Sequence, residues 1–138
     1  MEEFPTFVTH LECSETGKHF PADQLHGLSD AGKPLLVRYD LDGLGKALTK
    51  QDLKSRLPEL WRYREFLPVR HSQNAARLGE LTTPRLPATK IQLEYQCGEI
   101  LIKDEGRLPT GSFKARGLTM AVSMAKELGV RVMAMPTN

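Results

Sequence analysis

The distribution of apolar and polar positions divides the chain into short segments. Phe7-Val8-Thr9-His10-Leu11-Glu12-Cys13 alternates as a half-buried strand does. Asp40-Leu41-Asp42-Gly43-Leu44-Gly45 reads as a turn-rich exit from that first region. Thr49, with Asp52 three residues on, has the form of a capping box, and predicts a short helix carrying Leu53 and Leu57 and ended by Pro58. Leu60 to Pro68 places the only tryptophan, Trp61, beside Tyr63 and Phe66. Leu78 to Pro87 is an extended, proline-punctuated connection. Ile91-Gln92-Leu93-Glu94-Tyr95 and Glu99-Ile100-Leu101-Ile102-Lys103 read as the two strands of a hairpin turning at Gln96-Cys97-Gly98.

The last third has the clearest period. Leu118, Ala121, Val122, Ala125 and Leu128 recur at helical spacing, and Gly129 is placed to end the helix. Val130 to Met135 then reads as a strand that stops at Pro136-Thr137-Asn138. Strand, helix, strand predicts a right-handed parallel crossover, with a ligand beyond the carboxyl ends of the strands. The fold class expected is therefore α/β.

Composition narrows the function classes. The chain has 138 residues, enough for one modest domain, with 40% hydrophobic and 26% charged residues, ordinary values for a soluble globular protein. A net charge of +2 without a basic block argues against a nucleic-acid partner. Arginines interleaved with aromatics at Trp61-Arg62-Tyr63-Arg64 fit amphipathic packing, the arginine heads reaching outward, better than single-strand binding. No apolar run approaches the roughly 20 residues that span a bilayer, so no membrane partner is expected. The start, Met1 to Pro5, lacks the charged and apolar regions of a secretory signal. Two cysteines, Cys13 and Cys97, form no framework; reduced thiols and a cytoplasmic location are the default.

The chemistry concentrates in Pro109-Thr110-Gly111-Ser112-Phe113-Lys114-Ala115-Arg116-Gly117. Pro109 and Gly111 bend the chain, Ser112 is placed to cap the helix, and Lys114 falls just inside its first turn, where partial burial is expected. A lysine so placed can attack an aldehyde and form a Schiff base; a solvated first-turn lysine is the plainer alternative. Near the other end, Cys13-Ser14-Glu15-Thr16 looks like half of a Cys-x-x-Cys metal knuckle with threonine in the second ligand position. His10, His19 and His26 have a spacing that suggests no tetrahedral set, so no metal is expected.

Lys103-Asp104-Glu105-Gly106 followed by Pro109 to Gly117 resembles the cofactor-lysine segment of fold-type-II pyridoxal-phosphate enzymes, and that of the threonine synthase family above all. Trp61-Arg62-Tyr63 with Leu67-Pro68, Leu78-Gly79-Glu80 with Thr83-Pro84, and Gly32 to Leu41 with Val37-Arg38-Tyr39-Asp40 resemble further segments of the same family. Leu81 and Arg85 depart from it, standing where a glycine and an apolar residue are usual. Many members begin with a four-cysteine zinc ribbon; here Thr16 and Gly27-Leu28-Ser29-Asp30-Ala31 leave three of the four ligands missing.

The resemblance implies the N-terminal part of a tryptophan-synthase-β-like fold, preceded by a degenerate, metal-free ribbon held by hydrophobic contacts. In that division residues 1–42 are the ribbon-like segment, 43–87 a helical and extended connection, and 88–138 the start of the cofactor-binding α/β body. It implies pyridoxal 5'-phosphate as cofactor, Lys114 as its anchor and catalytic residue, and Phe113 beside it. Ser112, Thr137 and Asn138 would contact a small-molecule substrate, O-phospho-L-homoserine, converted with water into L-threonine and phosphate. A homodimer of the whole enzyme is compatible with the resemblance. Other readings stay open: cysteate synthase, another lyase of this fold type, or a non-catalytic truncated paralogue acting as a binding module. The similarity covers only about the first third of the family's length, so the chain is expected to be an incomplete stretch, inactive alone.

Overall fold

The structure is a computed structural model and describes residues 3–135. Alternation in the first segment does produce a strand, β1 (Val8–Cys13). It lies at the centre of a three-stranded antiparallel sheet, between β2 (His19–Phe20) and β3 (Leu35–Tyr39). Leu11 pairs with Phe20 and Val37, and Glu12 with His19 and Leu36. Residues two apart on β1 share a face, so Leu11 and Cys13 turn one way, His10 and Glu12 the other.

Where a turn-rich exit was expected, a short helix forms, α1 (Leu41–Ala47). Asp40 is the cause: its Oδ1 accepts from Gly43 N at 2.8 Å, and a side chain at Gly43 would collide with that same carboxylate. The cap outweighs the two glycines, and Leu44 is buried beneath the helix. The capping box at Thr49 forms in full and starts α2 (Lys50–Ser55). Arg56 is already extended, so Leu57 lies past the helix and is exposed rather than packed on it.

The core is built by Phe4, Trp61, Val69 and Ala75, with Leu67, Met120 and Met124 packed against them. Trp61 sits in a 3-10 helix, Leu60–Phe66, and stacks at a tilt on Phe4, ring centroids 5.7 Å apart. Its expected neighbours pair with each other instead: Tyr63 and Phe66 meet edge to face at 6.5 Å on the surface. Trp61 Nε1 donates to Ala76 O at 2.9 Å, which satisfies the one polar atom of a buried indole. Glu65, also buried, takes a two-pronged bond from Arg56 at 2.7 and 2.8 Å.

Three expectations fail in the second half. Ile91 to Tyr95 is helical, α3 (Thr89–Tyr95), and ends on Gln96 in the left-handed region at φ 48°. A strand needs one face packed against something; here Ile91, Leu93 and Tyr95 all stand exposed, so alternation carries no energetic weight. With no partner there, β5 (Leu101–Lys103) pairs antiparallel with β4 (Arg85–Pro87), Leu86 opposite Ile102. Val130 to Met135 forms no ladder among the described residues, and the parallel crossover is absent from them.

Helix α4 (Lys114–Glu127) forms as expected, but docks on a different face. Ala115, Thr119 and Ser123 are buried, while Leu118 and Val122 are not. Hydrogen bonds hold it down: Ala76 N donates to Ser123 Oγ at 2.9 Å, and Thr119 Oγ1 donates to Glu80 Oε1 at 2.8 Å. At the last turn Glu127 accepts from Arg70 N, His71 N, His71 Nδ1 and Asn74 Nδ2. The helix closes with Val130 N donating to Ala125 O at 2.8 Å, which needs Gly129 at φ +72°.

Candidate active site at the start of helix α4

The segment joining β5 to α4 brings Ser112, Phe113 and Lys114 together at the head of that helix. A 3-10 turn, Glu105–Arg107, leads into buried Leu108, whose carbonyl receives Gly111 N at 2.7 Å. Gly111 turns the chain at φ +66°, a conformation that other residues rarely take. Phe113, not Ser112, occupies the cap position, and no side chain caps the helix from there. Ser112 still meets one donor of the first turn: its Oγ accepts from Lys114 N at 3.2 Å.

Lys114 is exposed, where partial burial was expected, and Phe113 beside it is 69% exposed. Ala115 next along is buried and anchors this turn, while the Lys114 side chain is exposed. The expected roles of Thr137 and Asn138 lie outside the described residues.

A polar frame under this loop was not assigned any role from the sequence. Arg116 Nε and Nη2 donate to Glu105 at 2.6 and 3.1 Å, and Arg116 Nη2 also reaches Leu81 O at 3.3 Å. Thr83 Oγ1 donates to the same carboxylate, and Lys103 Nζ donates to Thr83 Oγ1 at 2.6 Å. Residues from β5, the 3-10 turn, the entry connection at 81–83 and α4 therefore converge on Glu105. The signal was in the motif itself, which contains both Glu105 and Arg116; only the pairing needed three dimensions. The frame also distinguishes the two lysines, both exposed: Lys103 Nζ bonds Thr83 and pairs with Glu105, whereas Lys114 Nζ is outside that network.

Arg116, then Thr83, hold the Glu105 carboxyl well below its usual range, from 4.5 to about 2. A depressed folded-state value contributes stability that is complete above the unfolded value. That contribution is lost as pH falls from about 5 towards 2. Acid titration of the thermal midpoint should show this loss, and Glu105→Gln should flatten it. An identical acid profile in the two proteins would contradict the frame.

The remnant of a metal knuckle has its own geometry. Cys13 is buried, with Sγ 3.1 Å from Ser29 Oγ, and Thr16 N donates to Sγ at 3.5 Å. Ser29 Oγ also receives Lys33 N at 3.2 Å. The two loops are thus joined by hydrogen bonds through Ser29. Ser29, followed by Thr16, draws the Cys13 thiol down to about 7. On the other face of β1, His10 and His19 do come together, with Glu12 rather than with His26; pairing of His19 opposite Glu12 is what spacing alone could not show. His26 packs edge to face on Phe20 at 5.5 Å.

Comparison with known proteins gives a consistent result. The chain is 35% identical to a threonine synthase of Methanocaldococcus jannaschii over 120 residues, 87% of this chain and 30% of that protein. It is 32% identical to one of Methanosarcina acetivorans over 126 residues, 91% and 30%. With a threonine synthase of Halalkalibacterium halodurans it shares 46% identity over 72 residues, 52% and 20%. No family model and no solved structure matches. The chain spans about 30% of the length of the first two relatives. Among the described residues no helix is long and apolar enough to cross a membrane. Similarity along nearly all of its length identifies this chain as a relative of the threonine synthases, corresponding to an N-terminal part of them.

Proposed function

We propose that the protein bearing this sequence is a pyridoxal-phosphate-dependent threonine synthase, converting O-phospho-L-homoserine and water into L-threonine and phosphate. One observation carries the reading most directly. In a chain similar to threonine synthases, Lys114 stands exposed on a braced turn at the head of a docked helix, outside the network that engages Lys103. The cofactor is an aldehyde, and it fits a free primary amine; Lys103, engaged with Thr83 and Glu105, offers none.

When bound, pyridoxal phosphate supplies an electron sink for charge developing at the substrate carbon. The chain's own residues bind and orient. Lys114 Nζ would hold the cofactor aldehyde and could hold and return a proton at the reacting carbon. Phe113 offers an exposed ring beside that amine. Ser112, with its hydroxyl on the Lys114 amide, keeps the turn in register, and Thr137 and Asn138 are assigned to the substrate carboxylate by resemblance. The Glu105–Arg116 pair ties the loop to the first turn of α4.

This part of the chain is read as the start of a fold-type-II body behind a ribbon-like segment that has lost its zinc thiolates. The substrate is a small molecule, the setting cytoplasmic, and a homodimer consistent with the family resemblance. The test uses the protein expressed from its complete reading frame with pyridoxal phosphate and O-phosphohomoserine. Equal amounts of phosphate and threonine are expected. Phosphate without threonine, or cysteate made from phosphoserine and sulfite, would reject this assignment.

A further inference from the structure

His10, Glu12 and His19 offer three ligand atoms within 4.8 Å of one another on the outer face of the N-terminal sheet. We propose that they form a divalent transition-metal site, of the zinc or cobalt class, independent of the Lys114 site and built by the β1–β2 pairing. Glu12 Oε2 lies 3.6 Å from His19 Nε2 and 3.9 Å from His10 Nε2. Metal–ligand bonds of about 2.0–2.2 Å in a tetrahedron set ligand atoms roughly 3.3–3.6 Å apart, so small side-chain movements suffice. Two imidazoles and one carboxylate suit such ions, and leave a fourth position for water.

The hydrogen bonds behind the ligands carry the inference beyond proximity. Thr9 Oγ1 donates to Arg38 O at 3.1 Å, so its one proton is committed. Toward His10 Nδ1, 2.9 Å away, the same oxygen must then accept. The His10 proton is thereby fixed on Nδ1 and the lone pair on Nε2. That Nε2 is buried and has no hydrogen-bond partner among the described residues. An unpaired buried acceptor is costly, and a cation would satisfy it. The Glu12 carboxylate is oriented in the same way: Arg38 Nη2 holds Oε1 at 2.6 Å and leaves Oε2 toward the imidazoles. Metal ligands are characteristically set by such outer partners. The imidazoles of His10 and His19 lie against each other, centroids 3.9 Å apart with 30° between planes, and binding one ion would spread them.

Cys13 belongs to the opposite face of β1 and takes no part. That separation makes the test decisive. Protein stripped with a chelator is titrated with Zn²⁺ by calorimetry and with Co²⁺ by visible spectroscopy. One ion per chain is expected, with a cobalt d–d band and no sulfur-to-cobalt charge-transfer band. His19→Ala, at a position 64% exposed and so without folding consequence, should weaken binding at least about tenfold. Thr9→Val, which frees the His10 tautomer, should weaken it by roughly tenfold while leaving all three ligands in place. Failure to bind a stoichiometric ion, unchanged affinity in both variants, or a sulfur charge-transfer band would each overturn the proposal.

Discussion

Replacing Lys114 with alanine should remove both the visible absorption of bound pyridoxal phosphate and nearly all turnover of the complete protein. On the proposed reading the amine is anchor and proton carrier at once, so its loss would combine two effects. Proton transfer alone is worth about 10²–10⁴-fold, and a fall in kcat of about 10³-fold or more is expected. The neighbouring lysine gives the sharper comparison. Lys103→Ala disturbs Thr83 and Glu105 but removes no free amine, so the chromophore should persist. Loss of the absorption band in Lys103→Ala, with retention in Lys114→Ala, would exchange the two roles. Steady-state kinetics and a spectrum after dialysis suffice to decide.

The largest effect on stability should come from Glu127→Ala. Four donors meet this side chain, two of them backbone amides of Arg70 and His71 in the segment that leads to the core. Burial works against its charge, yet Asn74 and His71 outweigh that and hold its carboxyl below the usual range. Hydrogen bonds to a charged partner contribute about 1.5–3 kcal/mol, and truncation also leaves half-buried donors without acceptors. A loss of about 3 kcal/mol is therefore expected in urea unfolding. Glu127→Gln should recover part of it, since an amide oxygen still accepts while its NH₂ faces other donors. A loss below about 0.5 kcal/mol would place the contact among surface pairs of little weight.

What could be read from the sequence followed how local the cause was. The Thr49–Asp52 box, β1 and the extent of α4 all depend on residues within a few positions, and all were legible. The segment around Lys114 could be matched to a family for another reason, because its motif is long and nearly gapless. Failures came where meaning depended on a distant surface. Ile91, Leu93 and Tyr95 alternate, but all three stand exposed among the described residues, so helix formation from Ala88 onward decides. Leu118 and Val122 mark an apolar face, yet α4 docks through Thr119 and Ser123, whose partners lie 39 and 47 residues away. His19 and Glu12 likewise became neighbours only through strand pairing.

Helix α4 acts as a lever. Its 14 residues, at 1.5 Å each, make a rod of about 21 Å with Glu127 clamped at one end and Lys114 at the other. A tilt of about 3° at the clamp carries the head of the rod through about 1 Å. A displacement of that size can cost roughly 10²-fold in rate when reacting groups must align. Positional tolerance for Lys114 is thus shared between the Glu105–Arg116 frame at the head of the helix and His71 and Asn74 at its far end, which a map of the loop around Lys114 would omit.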